Sequence, residues 1–195
     1  MGLASRWSGR LRAAHSRAAH WRVGTYISAI QSMRIEPLAR SKHLISSIAS
    51  RLHAEWGDLP PWDTQAKIQA RLEEGASESI FPHTLVGIDH DGAWTSTGSV
   101  KLRELSNHPD KQHWIGEIFV LPEHRGRGLG SKLTHSLTEY ALSHGAAPLF
   151  LYTPDQQSLY RRLGWREVSQ EIVHNELVSI MTLLPRTHHS GSSAA

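Results

Sequence analysis

Cysteine is absent from the whole 195-residue sequence. That excludes a disulfide framework, thiolate metal sites and a thiol nucleophile, and it fits a reducing compartment. No run of about 18 or more apolar residues occurs, so no segment reads as a membrane-spanning helix, and the N-terminus lacks the apolar stretch of a secretory signal. The 14 histidines are scattered without metal-ligand spacing, so no metal site is expected. The expectation is a soluble, cytoplasmic protein with no membrane partner.

Acidic residues are missing from positions 1–32, which carry Arg6, Arg10, Arg12, Arg17 and Arg22. The net charge of the chain is +3, and those five arginines leave +3 less 5, or −2, for the remainder. The basicity therefore sits in the tail, the rest has no electrostatic reason to hold a phosphate backbone, and no nucleic-acid partner is expected. Three readings fit the tail: an organelle-targeting segment, an interfacial helix built on Leu3, Trp7 and Leu11, and a disordered extension. Met33-Arg34-Ile35-Glu36-Pro37-Leu38 reads as the opening strand of a domain, which favours the disordered extension. With 39% apolar residues there is material for one core. The domain is placed at residues 33–185, with residues 186–195 as a flexible tail in which His188 and His189 are solvated.

Between the tails the apolar spacing switches between two periods. Leu44, Ile48 and Leu52, followed by Trp56, mark an amphipathic helix ending at Gly57. Asp63 or Thr64 caps a second helix carrying Ile68 and Leu72 and stopping near Gly75. His83–Ile88 and Thr95–Leu105 read as a hairpin turning at Asp91-Gly92, the second strand being interrupted by Gly98, and His113–Val120 as a third strand. Leu129, Leu133 and Leu137 place a helix ended by Gly145. A buried strand over Pro148–Tyr152, a short helix over Gln156–Leu163 and two last strands, about Trp165–Ser169 and Leu177–Leu184, complete the series.

The third strand runs into His124-Arg125-Gly126-Arg127-Gly128-Leu129-Gly130 and then a helix. Strand, glycine-rich turn and helix in that order make an anion site, because free backbone N–H groups and the positive end of the helix dipole point into the turn. A Walker loop is excluded, since Ser131 precedes Lys132 where a glycine is required. A dinucleotide fingerprint fits poorly, because the third glycine comes one residue early and the strand is late in an antiparallel series. A glycine-rich turn that binds nothing is the remaining alternative.

The longer run Ile118-Phe119-Val120-Leu121-Pro122-Glu123-His124-Arg125-Gly126-Arg127-Gly128-Leu129-Gly130 resembles the acetyl-CoA-binding motif of the GNAT superfamily, Arg/Gln-x-x-Gly-x-Gly/Ala after a strand ending Val-x-Pro. Asp155 to Trp165, with Tyr160 ahead of Gly164-Trp165, is similar to that family's closing segment. The resemblance covers about residues 33–185. It implies an α/β (α+β) fold: a mixed, largely antiparallel central sheet flanked by helices, with two strands splayed apart to hold acetyl-CoA.

The resemblance further implies an N-acetyltransferase in which Arg125, Gly126, Arg127, Gly128, Leu129, Gly130 and Ser131 bind the diphosphate of the co-substrate. Phe119, Val120 and Leu121 are expected to give main-chain hydrogen bonds to the pantetheine arm and an N–H to the thioester carbonyl. Asp155-Gln156 stands where the family often has an Asn on the cofactor. Tyr160 is the expected proton donor to the departing thiolate. Glu117 is the candidate proton acceptor, although without a bulge it and Val120 point to opposite faces, and the family often carries its carboxylate at the position of Gly116. Asp110, His113 and Trp114 are alternatives for lining the acceptor pocket. The acceptor is expected to be a small amine, an antibiotic amine or a peptide amino terminus, the protein a monomer or homodimer, and no metal is required. An inert acyl-CoA-binding sensor or subunit is the competing function.

Overall fold

The computed structural model describes residues 33–184, so the readings of the N-terminal extension and the C-terminal tail fall outside the described residues. The Leu44-Ile48-Leu52 stripe forms α1, Ile45–Trp56, which stops at Gly57. Thr64 Oγ1 accepts the Lys67 N–H at 3.3 Å and opens α2, Gln65–Gly75. The strands are β1 (Arg34–Pro37), β2 (His83–Ile88), β3 (Trp94–Leu102), β4 (His113–Val120), β5 (Leu149–Thr153), β6 (Arg166–Val173) and β7 (Glu176–Leu183). Helix α3, Leu129–Ser143, follows the glycine loop, and α4, Gln157–Arg162, follows β5.

One sheet contains all seven strands in the order β1-β2-β3-β4-β5-β7-β6, and only β4 and β5 run parallel. Successive residues of β2 serve opposite faces. Val86 and Ile88 join α1, α2, Trp94 and Phe119 in one core cluster, while Leu85 joins Val100, Ile115 and the Leu133-Leu137-Ala141 stripe of α3 in the other. With helices on both sides, β2 and nearly all of β3 are buried, and each fully buried Leu, Ile or Val contributes about 1.5–3 kcal/mol. No helix among the described residues is long and apolar enough to cross a membrane.

Two boundaries differ from the sequence reading. Strand β3 ends at Leu102 instead of continuing to Leu105, because Arg103 turns into the left-handed region (φ 50°) while its N–H donates to Gln112 O at 2.8 Å. The last hairpin is longer than expected. Its turn is His174-Asn175, with φ of 50° and 64°, a two-residue turn that matches the twist of the flanking strands and lets β6 reach Val173. Gly98 stays inside β3, where a Cβ would stand 2.6 Å from Ile118 Cδ1 and 3.0 Å from Leu137 Cδ1. A glycine there lets α3 pack tightly against the sheet.

Candidate active site

Strands β4 and β5 pair at only two positions, His113 with Leu149 and Trp114 with Phe150. Beyond them both strands continue without pairing, so one edge of β4 is open from Ile115 onward. A cleft of about 440 Å³ fills this opening, walled by the end of β4, the glycine loop, the first turn of α3 and α4. A second cavity of about 160 Å³ continues from it between the upper parts of β4 and β5 and the β6–β7 hairpin.

At the first end of the cleft, Gly126 and Gly128 both adopt φ 75°, and nothing lies within 4 Å of where a Cβ would stand. Backbone conformation, not crowding, demands glycine here. Lys132 N–H donates to Gly128 O at 3.1 Å, so the amides of Leu129, Gly130 and Ser131 precede the first intrahelical bond and face the cleft with the positive end of the α3 dipole. Gly128→Ala is expected to cost about 1–2 kcal/mol for the left-handed residue, lowering the melting temperature by about 2–8 °C; a thermal melt checks it.

The two loop arginines behave differently from each other. Arg125 folds back: its Nε donates to Val120 O at 2.9 Å, its guanidinium meets Glu55 at 3.3 Å and lies 5.6 Å from the Phe119 ring. It thus fastens the loop to β4 and α1. Arg127 is exposed and does not line the cleft. Arg162, which the sequence reading passed over, does line it, with no carboxylate partner among the described residues. Its position in the last turn of α4 was readable only once α4 was known to face the loop.

The main-chain expectation for Phe119, Val120 and Leu121 needs correction by parity. Leu121 N–H donates to Thr95 O at 2.9 Å, so it is spent on β3, and the alternation of the ladder turns Phe119 main chain the same way. Ile118 and Val120 face the open edge. Val120 O already accepts from Arg125, which leaves the Val120 N–H and the Ile118 main chain for a ligand. Phe119 contributes its ring instead, packing 5.7 Å from Trp56.

A bulge occurs where parity raised the question. Ser99 pairs with Gly116 and Thr97 with Phe119, so β4 carries one extra residue, and Glu117 takes φ 58°. The bulge turns the Glu117 carboxylate into a buried charge cluster. Oε1 lies 2.6 Å from Arg71 Nη2 and 2.7 Å from Lys101 Nζ, and Oε2 accepts from Ser99 Oγ at 3.2 Å. Lys101 Nζ is also 2.5 Å from Glu104, in contacts that are close but lack directed hydrogen-bond angles. Burial alone would raise the Glu117 pKa, but Lys101 and Arg71 outweigh it and hold the carboxyl below its ordinary range. Neither cation was evident as a partner from sequence, since Arg71 is 46 residues away on α2.

The second cavity is aromatic and acidic, with Trp56, Trp62, Trp114, Tyr152, Glu104 and Glu117 on its walls. Of the alternatives read from sequence, Trp114 lines it. His113 packs 5.2 Å from Phe81 and Asp110 pairs with Lys111 at 3.3 Å, and neither reaches the cavity.

Tyr160 belongs to both cavities. Its residue is 9% exposed, and its hydroxyl has no hydrogen-bond partner among the described residues. Burial, with the nearby Asp155 charge, pushes its pKa up to about 12. Gly164 (φ 91°) ends α4 so that Trp165 N–H donates to Tyr160 O at 3.0 Å, and the Trp165 ring packs edge-on at 6.3 Å. This gives Tyr160, Gly164 and Trp165 a shared structural reason for their spacing in this chain. Asp155, Gln156, His174 and Glu176 also border both spaces; the last two come from the part of the β6–β7 hairpin that lies between the strand bounds read from sequence, Ser169 and Leu177. Among the described residues no group of acidic or histidine side chains is arranged to hold a metal.

Residues 41–165, more than half of the chain, match the model of the acetyltransferase (GNAT) family. The chain is 30% identical over 138 residues to mycothiol acetyltransferase of Pseudarthrobacter chlorophenolicus, covering 67% of this chain and 40% of that protein. It is 27% identical over 132 residues to thialysine N-epsilon-acetyltransferase of Bos taurus, covering 62% and 78%. The fold of yncA from Salmonella typhimurium, solved with acetyl-CoA, superposes with a TM-score of 0.61 at 20% identity, over 83% of this chain and 99% of that one.

Proposed function

The chain belongs to the acetyltransferase (GNAT) family, whose acetyl donor is acetyl-CoA, and on that premise we propose that it acetylates a primary amine by direct attack in a ternary complex. The observation that carries this reading is the meeting of two cavities at one buried, unpartnered phenol. The cleft suits acetyl-CoA: left-handed glycines with open space, three free helix-start amides and an unpaired strand edge are the donor set that a diphosphate and an amide-bearing arm require. Leu129, Gly130 and Ser131 amides would hold the diphosphate, Arg162 would add charge, and Ile118 and Val120 main chain would hold the arm. When bound, acetyl-CoA supplies an activated thioester.

In this reading the Val120 N–H stabilises charge on the thioester oxygen, and Tyr160 donates to the leaving sulfur. Direct attack is favoured over an acyl-enzyme because the chain has no cysteine and the loop serine, Ser131, sits at the diphosphate end of the cleft. The aromatic walls of the second cavity suit an amine carried on an apolar arm, and faces of Trp and Tyr attract a cation. The relatives named for mycothiol and thialysine point the same way, toward small amines bearing sulfur or carbon chains; a peptide amino terminus is the second class to test. Free-thiol release from acetyl-CoA, followed across primary amines and short peptides, is expected to find an acceptor. Absence of binding heat with acetyl-CoA on folded protein sinks the proposal.

A further inference from the structure

The buried charge cluster leaves the reaction without an evident proton acceptor. Glu117 has Arg71, Lys101 and Ser99 on its oxygens, and Glu104 faces Lys101 at 2.5 Å and Arg71 at 4.0 Å. A carboxylate neutralised in this way has little affinity for a further proton. Where the cavities join, the situation is reversed. Asp155 and Glu176 are the two carboxylates bordering both the cleft and the second cavity beside Tyr160; Glu55 and Asp58 border the cleft alone, Glu104 and Glu117 the second cavity alone. Neither Asp155 nor Glu176 has a cation or hydrogen-bond donor among the described residues.

Resting on the reading above, we propose that Glu176 is the general base of acetyl transfer, with Asp155 beside it holding the incoming ammonium by charge. The positive-φ turn at His174-Asn175 sets Glu176, the first residue of β7, over the junction. It is half-buried there. The hydroxyl of the buried Tyr160 residue, unpartnered among the described residues and bordering the same space, marks where reacting atoms stand. Burial and the Asp155 charge raise the Glu176 pKa above the ordinary carboxylate value, the direction that makes it a better proton acceptor.

The protons balance. Glu176 takes one from the ammonium, and the freed nitrogen forms the C–N bond at the thioester carbon. The C–S bond breaks, and the sulfur takes the Tyr160 proton. The second nitrogen proton returns to Tyr160, and Glu176 releases its proton to water.

Glu176→Gln is expected to lower kcat/KM by about 100-fold near neutral pH, leave acetyl-CoA binding unchanged, and recover toward wild type as pH rises through the pKa of the amine, which then needs no base. Its melting temperature should equal or exceed the wild type's, because repulsion with Asp155 is removed, whereas a merely structural role would lower it. Asp155→Asn is expected to raise KM for the amine more than it lowers kcat. A Glu176→Gln enzyme within about threefold of wild type, or a loss that stays constant over the whole pH range, overturns the assignment while wild-type turnover in the same assay upholds the underlying reading. A wild type that binds acetyl-CoA yet acetylates no amine overturns both.

Discussion

Replacing Tyr160 by Phe is expected to lower kcat by about 10²- to 10⁴-fold and to leave the dissociation constant for acetyl-CoA almost unchanged. The hydroxyl has no partner among the described residues, so its removal breaks no protein contact and the ring keeps its packing on Trp165. What is lost is one proton at the junction. The pKa of about 12 keeps the phenol protonated throughout the neutral range. It also makes outright donation to an ordinary thiolate, pKa about 8.5, uphill by roughly three units. On the proposed reading the phenol works as a relay: it gives its proton to sulfur as the attacking nitrogen, made strongly acidic by bond formation, gives one back. A relay predicts that the loss persists at every pH at which the enzyme is folded, unlike the loss in Glu176→Gln, which high pH restores. Calorimetry for binding and thiol release for turnover separate the two quantities. A Tyr160→Phe enzyme with turnover near wild type would remove Tyr160 from the chemistry.

Features with a local physical cause were legible in the sequence. The 3.6-residue stripes of α1 and α3, the Thr64 cap, the Gly145 that ends α3 and the tyrosine spaced against Gly164-Trp165 are each decided within a few residues, and the structure has them where the pattern put them. Features that depend on what stands across the sheet were not. Leu121 looked as available as Val120 until strand pairing assigned its amide to Thr95. Whether Glu117 was a proton acceptor or a solvated or structural carboxylate stayed open, because Arg71 arrives from α2 and Lys101 from the neighbouring strand. The bulge that turns it inward has no residue-type signature, since Glu117 adopts φ 58° without being glycine, and a glycine stands just before it. Glu176 was hidden for a similar reason: its place follows from the turn two residues before it and from α4 packing opposite.

The proposed division of labour among the carboxylates has a structural counterpart, and the largest expected stability effect lies with Glu117, the one held by two cations. Glu117→Gln leaves Lys101 buried and Arg71 half-buried with only Glu104 to balance them, and breaking such a pair costs about 3 kcal/mol, the low end for this kind of change because Arg71 is partly exposed and Glu104 remains. For a chain of this size the melting temperature falls by about 6–12 °C. The pH dependence has a definite sign. Because the folded pKa of Glu117 lies below the ordinary carboxyl value of 4.5, its stabilisation is fully present above that value and is lost as pH falls through the folded one. Wild-type stability is accordingly expected to approach that of the variant in acid, with the difference between their melting curves closing as pH drops below the ordinary carboxylate range. Thermal melts of both proteins over an acid series measure this directly. A Glu117→Gln protein that melts within about 2 °C of wild type at neutral pH, against the shift expected for a buried pair, would mean that the two cations are balanced without it and that Glu117 is free for the proton-accepting role its sequence position suggests.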